Sequence, residues 1–375
     1  MVNLEKMEYE DSYSEQYQSE EAMFRMIRDS EKRGKWLRVP ADELVVMDAE
    51  EGMLCDTNKE REIYEDAREN VGLLLLCGGK RYPMGETGLP SLQNRARIYG
   101  NALKDVSKTD RIEILNLCLK VAKGDALVRV SEGKVRAVHG GDERDYAVIS
   151  MAEIFRQTSE ILRRDFGSVH FGTGERDHRL TTAYWTIVNP DLFEAYRKEM
   201  AEAGIAVSPY LRAAIRVTTS DVGASGVNLS YLLMEGSRKV VLGQNIRLNH
   251  RNGATLEDFK RNLSQVFSLY KQALRGLSEL TKKYVDFPVT VAESVMKKVG
   301  IPAKLRSEVV SQYEAVNHNT SASYYEVYTV INDAVFVAKV MGYSERQIAE
   351  LEEKIARCLS FDWKQFDMAV SGMAA

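Results

Sequence analysis

Beginning at Thr255, the apolar residues Leu256, Phe259, Leu263, Val266, Tyr270, Ala273, Leu277, Leu280 and Tyr284 recur at mostly 4-3 spacing. That period belongs to an amphipathic helix with one continuous apolar seam. Carried to Tyr284 at about 1.5 Å per residue, it predicts a rod of roughly 45 Å, ended by Phe287-Pro288. A rod with such a seam needs an equally long apolar partner, either a sheet that it crosses as a lid or further helices. Shorter helices are expected after it, over 290–299 with a Thr290/Glu293 capping box, 302–314, 321–341, and 344–358 with a Ser344/Gln347 box. The closing "SGMAA" is expected to fray.

Upstream the apolar period falls to two. "ALVRVSEGKVRAV" alternates around Glu132-Gly133, a two-residue hairpin signal. Pairing Ser131 with Lys134 sets Val130 opposite Val135 and Arg129 opposite Arg136, with Val128, Val130, Val135 and Ala137 toward the core. "LTTAYWTIVNP", "YLRAAIRVTT", Val227–Met234 and Lys239–Leu242 read as further strands, and Met151–Arg164 and "DLFEAYRKEMAEAG" as helices between them. Residues 58–76 read as a helix running into "VGLLLL"; "CGGKRYPMGETGLP" and 167–178 read as loops. Strand runs with inserted helices, rather than repeated βαβ units, indicate an α+β fold with a central antiparallel sheet. Three regions follow: an acidic, disordered arm over 1–20, an α+β core over 21–285, and a helical C-terminal region over 286–375 packed on it.

Among the 375 residues no uncharged apolar run approaches membrane-spanning length, and the N-terminus lacks the pattern of a signal peptide. The four cysteines, Cys55, Cys77, Cys118 and Cys358, are scattered, which fits a reducing cytoplasm and leaves no disulfide framework. The net charge of −4 is uneven: residues 1–66 carry 9 basic and 19 acidic residues, the remainder 42 and 36. Such an acidic segment is either a solvated tail or an internal competitor for a basic surface.

Arg129, Lys134 and Arg136 would share one face of the hairpin, where opposed like charges are unfavourable unless something anionic neutralises them. The protein's own carboxylates, solvent or a phosphate-bearing ligand could do so. Residues 80–111 add seven basic side chains, Arg95 and Arg97 among them, against three acids. Tyr82, Tyr99 and Tyr146 offer rings for stacking bases beside these charges. Ser220, Asp221 and His250 suggest a hydrolase triad, but there is no Gly-x-Ser-x-Gly elbow, and adjacent strand residues point to opposite faces. Ser220-Asp221-Val222-Gly223 is better read as a turn bonding its own backbone, with Gly223 and Gly226 at positive φ. "CGGKRYPMG" lacks the full phosphate-loop pattern. His170 and His178, with Glu175 and Asp177 nearby, read as a solvated loop rather than a metal site, so no metal or cofactor is expected.

The order of "SLQNRARIYG…ILNLCLKVAKGDALVRVSEGKVRAV…DYAVI" resembles the opening of the domain-of-unknown-function 932 family, found on phages, prophages and plasmids. In that pattern Arg129, Arg136, Ala137 and Tyr146 take the places of an Arg-bearing strand, a turn, Arg-Ala and a following Tyr. Ser220–Gly223 resembles the family's Ser-acid-Val-Gly. Where the family has Cys-x-Asn-Gly and a His before a long helix, this chain has "LGQNIRLNHRNG", with Asn245 and His250 but no cysteine. The resemblance implies a mobile-element protein in a bacterial cytoplasm, with no activity attached. The expected function is therefore non-catalytic binding of nucleic acid, single-stranded, in replication or recombination. Arg129, Lys134 and Arg136 would sit on phosphates with Arg95, Arg97 and Tyr146 flanking. The alternative is a homo-oligomeric assembly or host-interaction protein.

Overall fold

The computed structural model describes residues 7–369, apart from 143, 237, 244–245 and 318–320. The chain opens with strand β1 (Ser14–Tyr17) and helix α1 (Glu20–Arg33), then β2 (Lys35–Pro40) and β3 (Val45–Asp48). Helix α2 (Asn58–Asn70) leads to β4 (Leu73–Cys77) and β5 (Lys80–Pro83), and α3 (Gly88–Arg95) and α4 (Lys108–Lys120) to β6 (Asp125–Ser131) and β7 (Lys134–Gly140). Then come α5 (Met151–Phe166), β8 (Ser168–Asp177), β9 (Thr181–Val188), α6 (Glu194–Glu202), β10 (Leu211–Thr219), β11 (Val227–Glu235), β12 (Arg238–Val241) and β13 (Ile246–Leu248). Six helices follow: α7 (Leu256–Leu263), α8 (Val266–Glu279), α9 (Pro288–Lys298), α10 (Ala303–Val316), α11 (Tyr324–Val340) and α12 (Glu345–Cys358).

The fold is α+β. Its large antiparallel sheet runs β1-β8-β9-β10-β11-β12, with β13 also on β11. Alternation on β9 shows how it is seated: Ala183, Trp185 and Ile187 are buried while Thr182, Tyr184 and Thr186 are half-buried. Trp185 packs on Phe155 of α5 and donates its indole N–H to Glu20 of α1 at 2.8 Å. Two small sheets, β2-β6-β7 and β3-β4-β5, meet through a bridge between Met84 and Val135. They enclose their own cluster around Leu75, Met84, Leu92, Leu115 and Val128, separate from the larger core that joins the big sheet to the C-terminal helices. Residues 21–285 thus contribute to two hydrophobic clusters, one within residues 41–138 and one that extends to Trp363. Among the described residues no helix is long and apolar enough to cross a membrane.

The predicted 45 Å rod is two helices. Its seam is real, with Phe259, Leu263, Val266, Tyr270 and Leu277 buried, but α7 stops at Leu263 and α8 begins at Val266. Ser264 Oγ donates to the Arg261 carbonyl at 2.7 Å and Ser268 Oγ to that of Gln265 at 2.9 Å. Hydroxyls that compete for helical carbonyls on both sides of the junction favour a break there. Helix α12 has the expected Ser344/Gln347 box, whereas α9 starts at Pro288, two residues before the expected Thr290 cap. "LLLLC" is strand β4 rather than the end of a helix; with β5 it forms a hairpin around Gly78-Gly79, both at positive φ. Residues 168–177, expected as loop, form the ten-residue strand β8.

The arm expected over 1–20 is also corrected for its described part. Residues 14–17 are a strand paired with β8, from Ser14 opposite Asp177 to Tyr17 opposite Gly174. Tyr13 and Tyr17 are buried, which a solvated tail would not allow.

On the other side of the sheet, Arg216 of β10 pairs with Glu352 of α12, both almost fully buried. Removing one partner of a buried ion pair leaves the other uncompensated. Glu352→Ala is therefore expected to cost about 3–5 kcal/mol in urea unfolding, and Arg216→Met with Glu352→Leu to recover most of that loss.

Candidate functional site

The β6–β7 hairpin turns at Glu132-Gly133, both at positive φ as a tight two-residue turn requires. Ser131 faces Lys134 and Val130 faces Val135, as expected. Beyond that pair a β-bulge shifts the register, so Arg129 opposes Ala137 rather than Arg136, and Val138 joins Val128 in the small core.

The bulge changes what the cations meet. Arg129, Lys134 and Arg136 are 3%, 0% and 2% exposed, so the open basic face expected of them is corrected. Arg129 donates to Asp221 Oδ2 at 3.2 and 3.3 Å, with its guanidinium over the Trp36 ring. Lys134 pairs with Asp66 and lies 3.4 Å from Asp11. Arg136 pairs with Asp11 and donates to the Tyr9 carbonyl at 2.8 Å. Buried cations demand such partners, and the protein's own carboxylates supply them.

Tyr146 is likewise buried, stacked on His139 at 4.0 Å and on His250 at 5.4 Å, with Trp36 tilted beside it. It presents no free face for a base. Tyr82 is buried too, its hydroxyl accepting from Lys35. His250 donates from Nδ1 to the Ala147 carbonyl at 3.1 Å, while its Nε2 faces Thr219 Oγ1 at 3.4 Å. Its bonds tie the Ala147 and Thr219 segments together. Asn245 lies outside the described residues.

The Ser220–Gly223 stretch is a turn with two tasks. Ser220 Oγ accepts from the amides of Val222 at 3.2 Å and Ala224 at 3.1 Å, while Asp221 reaches across to Arg129. Gly223 has φ +75°, and a Cβ there would come within 2.6 Å of His139. Gly226 is not at positive φ; it makes a close approach to the Leu248 carbonyl instead. His170 and His178 stand near the two ends of β8, eight residues or roughly 26 Å apart. His178 donates to the Glu10 carbonyl at 2.8 Å. Among the described residues no group of His, Cys, Asp or Glu is placed to hold a metal ion.

A different set of cations surrounds an open cavity of about 1100 Å³ where the small sheets meet the Ser220–Gly223 turn. Arg97, Lys123, Arg144, Arg179 and Arg251 line it; all five are exposed and none makes an ion pair among the described residues. Four acids share the wall, of which Asp125 faces Arg38 at 3.9 Å and Asp142 accepts the Arg144 amide. Arg97 holds a left-handed φ of 59° in the turn after α3. Arg95 lines the same wall, but its Nη2 is bound to the carbonyls of Lys123, Gly124 and Asp125. Tyr99, at 73% exposure, is the free ring at the rim. Lys123, Arg144, Arg179 and Arg251 escaped the sequence reading because each is the one Lys or Arg of a separate connecting segment.

His139 forms part of the floor, and its Nε2 is buried without a partner among the described residues. Burial, reinforced by His250 and Arg251, pushes its pKa down to about 4. No family model, curated protein or solved structure matches the chain.

A histidine held neutral in the fold binds its proton less tightly than in the unfolded chain. The stability His139 contributes is therefore complete above about pH 6.5 and lost as pH falls toward 4, on the order of 3 kcal/mol in all. Urea midpoints should fall across that window, and His139→Gln should remove part of the slope. An unchanged slope in the variant would assign the titration to His178, which burial and Arg136 push down to about 2, or to His250, which burial also pushes down.

Proposed function

We propose that the protein is a non-catalytic, mobile-element protein that binds single-stranded nucleic acid in replication or recombination, through the Arg97–Arg251 cleft. The observation that carries this reading is the group of five cations without carboxylate partners among the described residues, around one polar cavity with the Tyr99 ring beside them. Its volume exceeds the roughly 300–1,000 Å³ of ordinary small-molecule pockets, which favours a stretch of a polymer. Phosphates would settle on Arg97, Lys123, Arg144, Arg179 and Arg251, and a base on Tyr99, as in sequence-tolerant single-strand binding. Arg129, Lys134 and Arg136 become in this reading the support of the cleft rather than its contact surface. The phage or plasmid setting and the bacterial cytoplasm rest on the family resemblance alone.

A second reading, self-association, draws on Phe336 and Val340, one helical turn apart on α11 and 67% and 73% exposed. Light scattering over a concentration series, with Phe336→Glu alongside, separates the two.

Fluorescence anisotropy of a labelled single strand tests the nucleic-acid reading. Log affinity against log salt is expected to fall with a slope of about −3.5 if all five cations meet phosphates. Arg97→Glu with Arg251→Glu should weaken binding at least tenfold and flatten the slope; no binding at low salt would sink the proposal. Removing residues 1–12 takes Asp11 from Arg136, while Lys134 keeps Asp66; the Arg136 carbonyl accepts from Thr87 on the cavity wall. That truncation should tighten binding if the arm competes with the ligand, and unchanged affinity would leave it a structural role.

A further inference from the structure

A second cavity opens at the edge of the large sheet. Strand β11 pairs with β12 over Leu232–Glu235 and with β13 over Val227–Leu229, so Tyr231 sits between the two pairings. There a cavity of about 640 Å³ enters between α8 and α12, walled by Leu242, Ile246, Leu269 and Leu359. Its volume lies within the range that encloses a whole small molecule.

Two features set this space apart from a packing fault. Tyr231 lines it at 1% exposure, yet its hydroxyl has no hydrogen-bond partner among the described residues. Its neighbour Tyr270, edge-on at 5.8 Å, shows the ordinary solution, donating to the Leu232 carbonyl at 2.8 Å. A buried hydroxyl left unmatched is costly and rare in native proteins. Burial also pushes the Tyr231 phenol well above its usual pKa, so it keeps its proton and acts as a donor. The second feature is Gly276, in the middle of α8 and on the cavity wall, where an added Cβ would meet nothing within 4 Å. Glycine weakens a helix interior, and no neighbour demands it here; its effect is to leave the entrance wide.

We propose that this cavity binds an uncharged lipophilic small molecule whose inner end carries a carbonyl oxygen that accepts a hydrogen bond from the Tyr231 hydroxyl. The aliphatic walls exclude a charged inner end, because nothing on them would compensate it. Gln272, Arg357, Ser360 and the Arg247–Glu353 ion pair also line the cavity, exposed or half-buried, so the ligand's outer end can stay wet. This site is independent of the cationic cleft and does not rest on nucleic-acid binding.

The test is calorimetric titration of the full chain with three matched series: straight-chain methyl ketones, alkanes and carboxylates. Ketones should bind most tightly. Tyr231→Phe keeps the ring and should weaken ketone binding about tenfold, with alkane binding unchanged. Gly276→Leu, which the open space tolerates, should abolish binding of both while the protein melts no lower than wild type. Absence of ketone binding, equal affinity for ketones and alkanes, or a Tyr231→Phe variant with undiminished ketone affinity would each overturn the assignment. Carboxylates binding more tightly than ketones would overturn the uncharged class.

Discussion

Three cations on one hairpin have to be neutralised away from water, and much of the molecule is arranged around that requirement. Arg129, Lys134 and Arg136 find Asp221, Asp66 and Asp11, which come from the turn after β10, from helix α2 and from the N-terminal segment. Removing one partner of such a buried pair typically costs several kcal/mol, so each carboxylate holds its own segment against the hairpin. The small sheets are fastened to the large one by charge as well as by apolar contact. The stacked rings of His139, Tyr146 and His250 fill the space between the ion pairs.

The same requirement separates cations that hold the fold from cations open to a ligand. A strand buries its side chains on both faces once other elements cover it, and a charge there must be matched internally. A turn leaves its charges in water, where pairing contributes little. Arg97, Lys123, Arg144, Arg179 and Arg251 lie on such turns and remain unmatched among the described residues, and the folding of the small sheets gathers them around one opening. The cleft is polar and charged; the cavity at Tyr231 is aliphatic around the buried Tyr231 hydroxyl, with its polar side chains exposed or half-buried. The two spaces suit different ligand chemistries.

Local pattern carried a good part of the architecture. The Glu132-Gly133 turn and the alternation of β9 form the elements their patterns imply, and the seam from Leu256 to Leu277 is helical but divided between α7 and α8. What the pattern could not carry was set from a distance. The bulge at Arg129/Val130 depends on how β7 meets its neighbours, and the partners of the three cations lie up to 125 residues away. "LLLLC" has no period of its own, and only pairing with β3 and β5 makes it a strand. Gly223 was legible as a turn residue, but its contact with His139 was not. The cleft was legible only in Arg95, Arg97 and Tyr99, because its other cations are isolated in sequence.

The pairing of Ser14 with Asp177, and of Asp11 with Arg136, has a consequence for the order in which the molecule is made. Strand β1 is the edge of a sheet whose next member is completed more than 160 residues later in the chain. Until then the N-terminal acids and the buried tyrosines have nothing to close on, and contacts so far apart in sequence form late. An early segment of the chain must therefore wait for a distant one before it can dock.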